Sequence, residues 1–259
     1  MRDAARHGGE PGYTRRMSFV GERRALAAAV FAFYFLAYGL LVMLGMVPPE
    51  MTKAFAAIAG VYGLAFFSLV AGYFWARWYA VGVGLYGVIT AAVGMWQLGA
   101  EPVLVFVGGT HLAATVFLWG NAMSGPYDGQ TAWREKLHMD ENAVQRLGRS
   151  VIRAGVSLPF VLLYALMPKP ETASMVLSLL ALVLAGVGFR AVVKMRTWGV
   201  LAMGAAGGLM VTLATTDLYM GADVSYALRP AIGGFLLIAA AVPFLVPMAR
   251  WVVGSQSTR

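Results

Sequence analysis

The chain has no cysteine, and charged side chains make up only 12% of its 259 residues. Without cysteine it can form no disulfides, no thiolate sites for zinc or iron–sulfur clusters and no cysteine nucleophile. Soluble domains carry roughly 25% charged residues. Because 59% of this chain is hydrophobic, its polar side chains cannot cover a water-soluble core, and a soluble enzyme is excluded.

The sequence contains instead a series of long apolar runs. A helix needs roughly 20 apolar residues to cross about 30 Å of hydrocarbon. The fifth run is the least apolar because it contains Arg153 and Pro159, and we expect Arg153 to extend toward the membrane surface. The pattern predicts an all-α polytopic membrane protein with about eight transmembrane helices. The predicted spans are 25–46, 54–74, 79–98, 102–121, 151–167, 173–189, 197–216 and 230–249.

The basic residues are distributed unevenly between the loops. If the amino terminus is cytoplasmic, only Lys53, Lys169 and Arg229 of the 20 Lys and Arg residues fall on the outer side. Basic residues near spans are retained in the cytoplasm, so we expect both termini to be cytoplasmic, in a bacterial inner membrane. The net charge of +8 then comes from basic residues in the loops on the cytoplasmic side, and it does not indicate a nucleic-acid partner. The expected partner is the lipid bilayer.

Three pairs of similar segments occur in the same order in the two halves of the chain. They are the proline-rich turns 46–52 and 166–172, the Arg- and Trp-containing span starts 77–82 and 196–200, and the residue pairs 101–102 and 229–230. A unit of four spans returns to its starting side, so the sequence predicts two parallel four-helix repeats. The predicted units are a disordered basic tail 1–24, a first repeat 25–121, a linker 122–150, a second repeat 151–249 and a tail 250–259.

His111 lies near the middle of the fourth predicted span, next to Thr110. Ionisable residues at that depth are candidates for function, so His111 and Thr110 are candidate proton or substrate contacts. The alternatives are a neutral histidine hydrogen-bonded to a helix carbonyl, Thr or Tyr, or a metal or haem ligand. The other two histidines lie in cytoplasmic segments, and we predict no metal and no cofactor.

The predicted outer side carries five acidic residues against three basic ones: Glu50, Glu101, Glu171, Asp217 and Asp223. Thr216 and Asp217 end the seventh span, where a hydroxyl and a carboxylate are candidate contacts for a cation or an amine. The alternative is a polar helix end that marks the membrane boundary. Glu101 and Arg229 occupy equivalent positions in the two repeats, so they are a candidate external ion pair.

The linker 122–150 has an apolar stripe. Trp133, Leu137, Val144, Leu147 and Val151 fall within an arc of about 80° at 100° per residue. The stripe predicts an amphipathic helix on the membrane surface. Trp133, Leu137 and Leu147 are therefore candidate contacts with the membrane surface or with a membrane or cytoplasmic protein partner, and the alternative is a plain linker.

The segment 82–87 matches the dinucleotide-binding pattern GxGxxG. That pattern needs a preceding strand and an exposed helix start, whereas this copy lies inside a predicted span. Small residues inside spans allow close helix packing, and we predict that role for Gly84 and Gly87, and likewise for Gly204 and Gly208.

Three functions remain open at this point. The first is a carrier of a small solute or lipid-like substrate, which requires a polar cavity between the repeats. The second is a regulatory or scaffold subunit that binds a partner through 122–150. The third is a membrane enzyme or redox subunit that uses His111, and it is the least favoured because no catalytic motif is present.

Overall fold

The computed structural model describes residues 11–123, 141–169, 171–194, 196 and 198–256. Within these ranges the chain forms eight long helices and no strand. Seven of them are long and apolar enough to cross a membrane, and α4 is a shorter apolar helix of 17 residues. The protein is therefore an all-α polytopic membrane protein, as predicted. The helices are α1 Pro11–Met43, α2 Thr52–Ala71, α3 Ala76–Leu98, α4 Pro102–Leu118, α5 Glu141–Leu166, α6 Thr172–Val193, α7 Trp198–Tyr219 and α8 Val224–Gln256.

Short turns connect most of the successive helices and reverse the chain direction. Gly72 ends α2 in the left-handed conformation (φ 74°), and its N–H bonds back to the carbonyl of Ser68. Only glycine adopts this conformation without a steric cost. The turns define two ends of the bundle. The end with Arg23, Arg77 and Arg190 is called the basic end, and the end with Glu101 and Asp217 is called the acidic end.

Each half of the chain forms a ring of four helices. In the first half, consecutive helices contact one another and α4 contacts α1; in the second half, consecutive helices contact one another and α8 contacts α5. The halves meet where α5 packs against α3 and α2. Helix α5 therefore belongs to the second ring and is also the helix through which that ring packs against the first.

The position of α5 at this contact explains why its sequence is the least apolar. Two thirds of its most apolar window is buried, the largest share of any span, so it faces protein more than lipid. Its hydroxyls bind backbone carbonyls of α8: Ser150 donates to Ala240 and Ser157 to Gly233, at 2.8 and 2.6 Å. We expected Arg153 to extend toward the membrane surface, but its guanidinium instead donates to the carbonyl of Ala239 on α8.

Two predicted boundaries are shifted by these helices. Helix α1 begins at Pro11, so residues 11–24 are helical and not disordered. Helix α5 begins at Glu141 and takes up the last part of the predicted linker. Val144, Leu147 and Val151 are buried in the core, so Leu147 faces the protein interior and is not available to a partner. Trp133 and Leu137 lie outside the described residues.

The halves are joined by close contact between glycines of α3 and α5. A Cβ atom on Gly82 would overlap the carbonyl oxygen of Ile152, and one on Gly155 would lie 2.9 Å from the carbonyl oxygen of Tyr79. The segment 82–87 is thus a helix-packing surface. In the second half, Gly207 packs on the backbone of Gly234.

The prediction of close packing holds for only some of the small residues. Gly84 packs against Thr115 and Gly87 against the ring of His111. The prediction was wrong for Gly208, beside which there is open space, and for Gly204, whose nearest neighbour is at ordinary van der Waals distance.

Candidate functional site

His111 is fully buried in α4, and both of its ring nitrogens have partners. Its Nδ1 lies 2.7 Å from the carbonyl oxygen of Val107, and its Nε2 lies 2.7 Å from the hydroxyl of Tyr62 on α2. A carbonyl oxygen only accepts, so Nδ1 carries the hydrogen, and in the neutral ring Nε2 accepts from Tyr62. This is the hydrogen-bonded arrangement that the sequence left open as an alternative to proton or substrate handling.

Aromatic side chains from α1 surround this histidine. The ring centroid of Tyr34 lies 4.2 Å from that of His111, and Tyr38 stacks on Tyr62 at 5.6 Å. The Tyr34 hydroxyl lies 2.6 Å from Oγ1 of Thr110. Because Thr110 donates its own hydrogen to the carbonyls of α4, Tyr34 is the donor. Thr110 and His111 thus tie α1, α2 and α4 together within the first half.

A second polar cluster lies at the acidic end, around Lys169 in the turn between α5 and α6. Its Nζ donates to the Tyr226 hydroxyl at 2.8 Å and lies 3.0 Å above the ring centroid of Tyr164. The Tyr164 hydroxyl donates to Oδ2 of Asp217 at 2.7 Å. Burial lowers the pKa of Lys169 to about 8, with the charge of Asp217 opposing the shift and that of Arg229 adding to it.

Thr216 does not join this cluster. Its hydroxyl donates to the carbonyl of Thr212, one turn earlier in α7, at 3.0 Å. Of the two predicted contacts at the end of the seventh span, the structure therefore places only Asp217 among other polar side chains.

A cavity of about 220 Å³ lies beside this cluster, between the two halves. Helices α3, α4, α5 and α8 line it, and Gln97 and Arg229 at its rim are exposed. At its floor the buried rings of Tyr86 and Phe160 meet edge to face, with centroids 4.9 Å apart. From Gln97 to Tyr86 is 11 residues of α3, a depth of about 16 Å. Its polar lining consists of Tyr86, Thr90, Gln97, Ser225 and Arg229.

Arg229 is the one charged side chain in that lining. Its guanidinium donates to the sulfur of Met167 at 3.3 Å. The predicted ion pair with Glu101 is not formed, and no other carboxylate in the described ranges pairs with Arg229. A thioether does not neutralise a guanidinium, so the cavity has a positive charge at its rim.

Of the polar lining residues only Arg229 is among the residues predicted from the sequence, although the lining has a simple sequence signal. Tyr86, Thr90, Val93 and Gln97 lie at offsets of 0, 4, 7 and 11 residues, within an arc of about 60° on α3. A polar face on a span is expected to point into the protein or toward a cavity. Helical periodicity marks this face inside α3 just as it marks the apolar stripe in 122–150.

The fold therefore defines a multi-pass membrane protein with a small cavity between its halves, in which five of the lining side chains are polar. Comparison with known proteins adds no family, because no protein-family model, no curated protein and no solved structure matches the chain.

Proposed function

We propose that this protein is a membrane carrier for a small anionic solute, which binds in the cavity at Arg229. The observation that supports the proposal is the position of the cavity. It lies between the two halves, opens at one end and has a single cationic side chain with hydroxyls and an amide around it. Guanidinium groups bind carboxylates and phosphates through paired hydrogen bonds.

The size of the cavity limits the substrate. Sites for drug-sized ligands are usually about 300 to 1,000 Å³, and about 220 Å³ is below that range. The substrate class is therefore a small anion with a short apolar part, which contacts Leu104 and Leu228. A whole phospholipid is too large for this cavity.

The closed floor is consistent with a carrier that opens to one side at a time. Tyr86 and Phe160 close the cavity, and beyond them Gly82 and Gly155 hold α3 and α5 in backbone contact. In the proposed mechanism the halves act as parallel repeats that move relative to each other around the bound solute. The basic end is cytoplasmic in a bacterial inner membrane, so the cavity opens outward in this conformation.

The two other functions have less support from the described residues. The scaffold function depends on Trp133 and Leu137, which are not described, and on Leu147, which is buried. The redox or enzyme function depends on His111, whose ring nitrogens are both occupied by Val107 and Tyr62. The carrier is the function for which the structure offers an accessible group.

Thermal stability of the purified protein tests the binding step. We would measure the melting temperature in detergent with a panel of small carboxylates, phosphates and sulfonates. A ligand at 100 times its Kd stabilises by about 2.7 kcal/mol, so a binding anion raises the melting temperature by several degrees. Arg229→Gln abolishes that rise, while Lys53→Gln, at an exposed position on the same end of the bundle, keeps it.

Transport is then tested in proteoliposomes by counterflow of the labelled anion that binds. We expect uptake with the wild type and with Lys53→Gln, and no uptake with Arg229→Gln. If no anion of the panel shifts the melting temperature, or if Arg229→Gln responds like the wild type, the proposal is wrong.

A further inference from the structure

A second cavity lies on the other side of α5 and has a different character. It is an apolar groove of about 560 Å³ between α2 of the first half and α5 and α6 of the second half. Apolar residues such as Leu64, Leu158 and Leu182 line most of it. We expect the apolar stretch of such a groove on a membrane protein to hold hydrocarbon, because apolar side chains bind water poorly.

Glycines give the groove its open shape. A Cβ atom on Gly60 or on Gly186 would meet no atom within 4 Å, so neither glycine is required for contact between helices. This differs from Gly82 of α3, where a Cβ atom would overlap backbone. Larger side chains at 60 and 186 would fit the fold and fill the groove.

Two cations stand at one end of the groove. Arg190 is in the last turn of α6 and Lys194 follows that helix; both line the groove and both are exposed. Neither forms an ion pair with a carboxylate of the described residues. The carboxyl end of a helix favours nearby cations, but that effect does not neutralise them, so the groove ends in two positive charges.

The groove is about as long as one membrane leaflet is thick, and a tryptophan lies at its charged end. Lys194 follows α6 directly and lies 12 residues after Leu182, a distance of about 18 Å along the helix, and one leaflet contributes about 15 Å of hydrocarbon. Trp75 lies beside the cations, with its ring edge to face with Phe189 at 6.2 Å. Tryptophan concentrates at the level of lipid headgroups, so the cations lie where a lipid phosphate lies.

We propose that this groove binds one anionic phospholipid from the leaflet at the basic end. Its phosphate lies between Arg190 and Lys194, and one acyl chain runs along Gly60 and Gly186. The site is separate from the cavity at Arg229 and does not depend on the carrier function. Because the groove joins α2 to α5 and α6, the bound lipid contacts both halves of the protein.

Binding is measured on the full chain in detergent, by native mass spectrometry during titration with dioleoylphosphatidylglycerol or dioleoylphosphatidylcholine. We expect at least tenfold tighter binding of the anionic lipid. The double variant Arg190→Gln/Lys194→Gln loses that preference. The control Lys53→Gln/Arg196→Gln removes the same charge from two exposed positions outside the groove and keeps it. Equal binding of the two lipids, or equal loss in both double variants, overturns the proposal.

A second pair of variants tests the acyl chain. Gly186→Leu fills the groove and is expected to abolish binding of the anionic lipid with no loss of thermal stability. Gly208→Leu, at an equally open position on α7, keeps binding. If Gly186→Leu binds as the wild type does, or if glycerol 3-phosphate competes with the lipid at equal concentration, the site recognises only a phosphate and the proposed lipid site is wrong.

Discussion

Lys169 gives the proposed carrier a dependence on pH. The pKa of this lysine is lowered to about 8 by burial, so its charge is present at pH 7 and lost as pH rises to 9. Its charge and that of Arg229 interact, and both attract an anion in the cavity. We expect the Kd of a non-titrating sulfonate that binds there to rise roughly tenfold, about 1.4 kcal/mol, between pH 7 and pH 9.

Variants of Lys169 test whether the pH dependence comes from the charge of this side chain. Lys169→Arg stays charged over the whole range, so its Kd is expected to be flat with pH, measured by isothermal titration calorimetry. Lys169→Gln is expected to be flat as well, at the weaker value. A wild-type Kd that does not change with pH would show that Lys169 does not act on the bound anion.

Substitutions of Tyr62 and Tyr38 test whether the hydrogen bond between Tyr62 and His111 stabilises the protein. Tyr62→Phe leaves Nε2 of His111 buried without a donor, which costs about 1–3 kcal/mol. Tyr38 stacks on Tyr62, but its hydroxyl makes no hydrogen bond with the described residues, so Tyr38→Phe is expected to be nearly neutral. Melting temperatures of the two variants check this, and equal values would exclude a structural role for the Tyr62–His111 bond.

At the scale of helices, α3 and α5 form the contact that joins the two halves. A methyl group at Gly82 meets backbone that cannot rotate away, and overpacking of this kind costs about 1–3 kcal/mol. Gly60→Ala is the control, because its Cβ position is open and alanine favours a helix by about 1 kcal/mol. We therefore expect Gly82→Ala to lower the melting temperature and Gly60→Ala to keep or raise it; a fall of equal size in both would contradict the contact.

The sequence predicts the positions of helices that face lipid well, and those of helices that face protein less well. Lipid requires long apolar runs, so the spans are found at about their observed positions. Helix α5 faces protein on most sides, so its serines and Arg153 can bind carbonyls of α8. Its first residues from Glu141 are polar, so a search for apolar runs does not detect where the helix begins. The stripe of Val144, Leu147 and Val151 has the correct helical period, but the period alone does not say that the stripe faces a core.

At the scale of the whole molecule, the candidate site depends on which helices become neighbours. The sequence marks Arg229 and Asp217 as isolated charges near span ends, and both lie at or beside the cavity. It does not show that α3, α4, α5 and α8 enclose a space, because that follows from the packing of α5, in the second ring, against the first ring. His111 stands out in the sequence as an ionisable residue inside a span, yet in the fold its neutral ring holds three helices together.

The orientation of the molecule in the membrane is testable because the chain has no cysteine. Single-cysteine variants then carry one thiol each, with no background labelling. If the basic end is cytoplasmic, a membrane-impermeant maleimide labels Lys53→Cys and Glu171→Cys in intact cells, and it labels Arg196→Cys only after the membrane is permeabilised. This expectation comes from the charge pattern of the sequence, because the order of the predicted spans leaves only Lys53, Lys169 and Arg229 on the other side, and basic residues near spans are retained in the cytoplasm.

Each alternative result of the labelling has a separate meaning. If the pattern is reversed, the eight spans remain correct, but the cavity at Arg229 opens to the cytoplasm and the proposed direction of access is inverted. If Lys53→Cys and Glu171→Cys are labelled from different sides, the number of spans between them is odd, and the parallel repeats are wrong. Labelling of both from outside, with Arg196→Cys protected, places the carrier cavity outward and the lipid groove in the cytoplasmic leaflet.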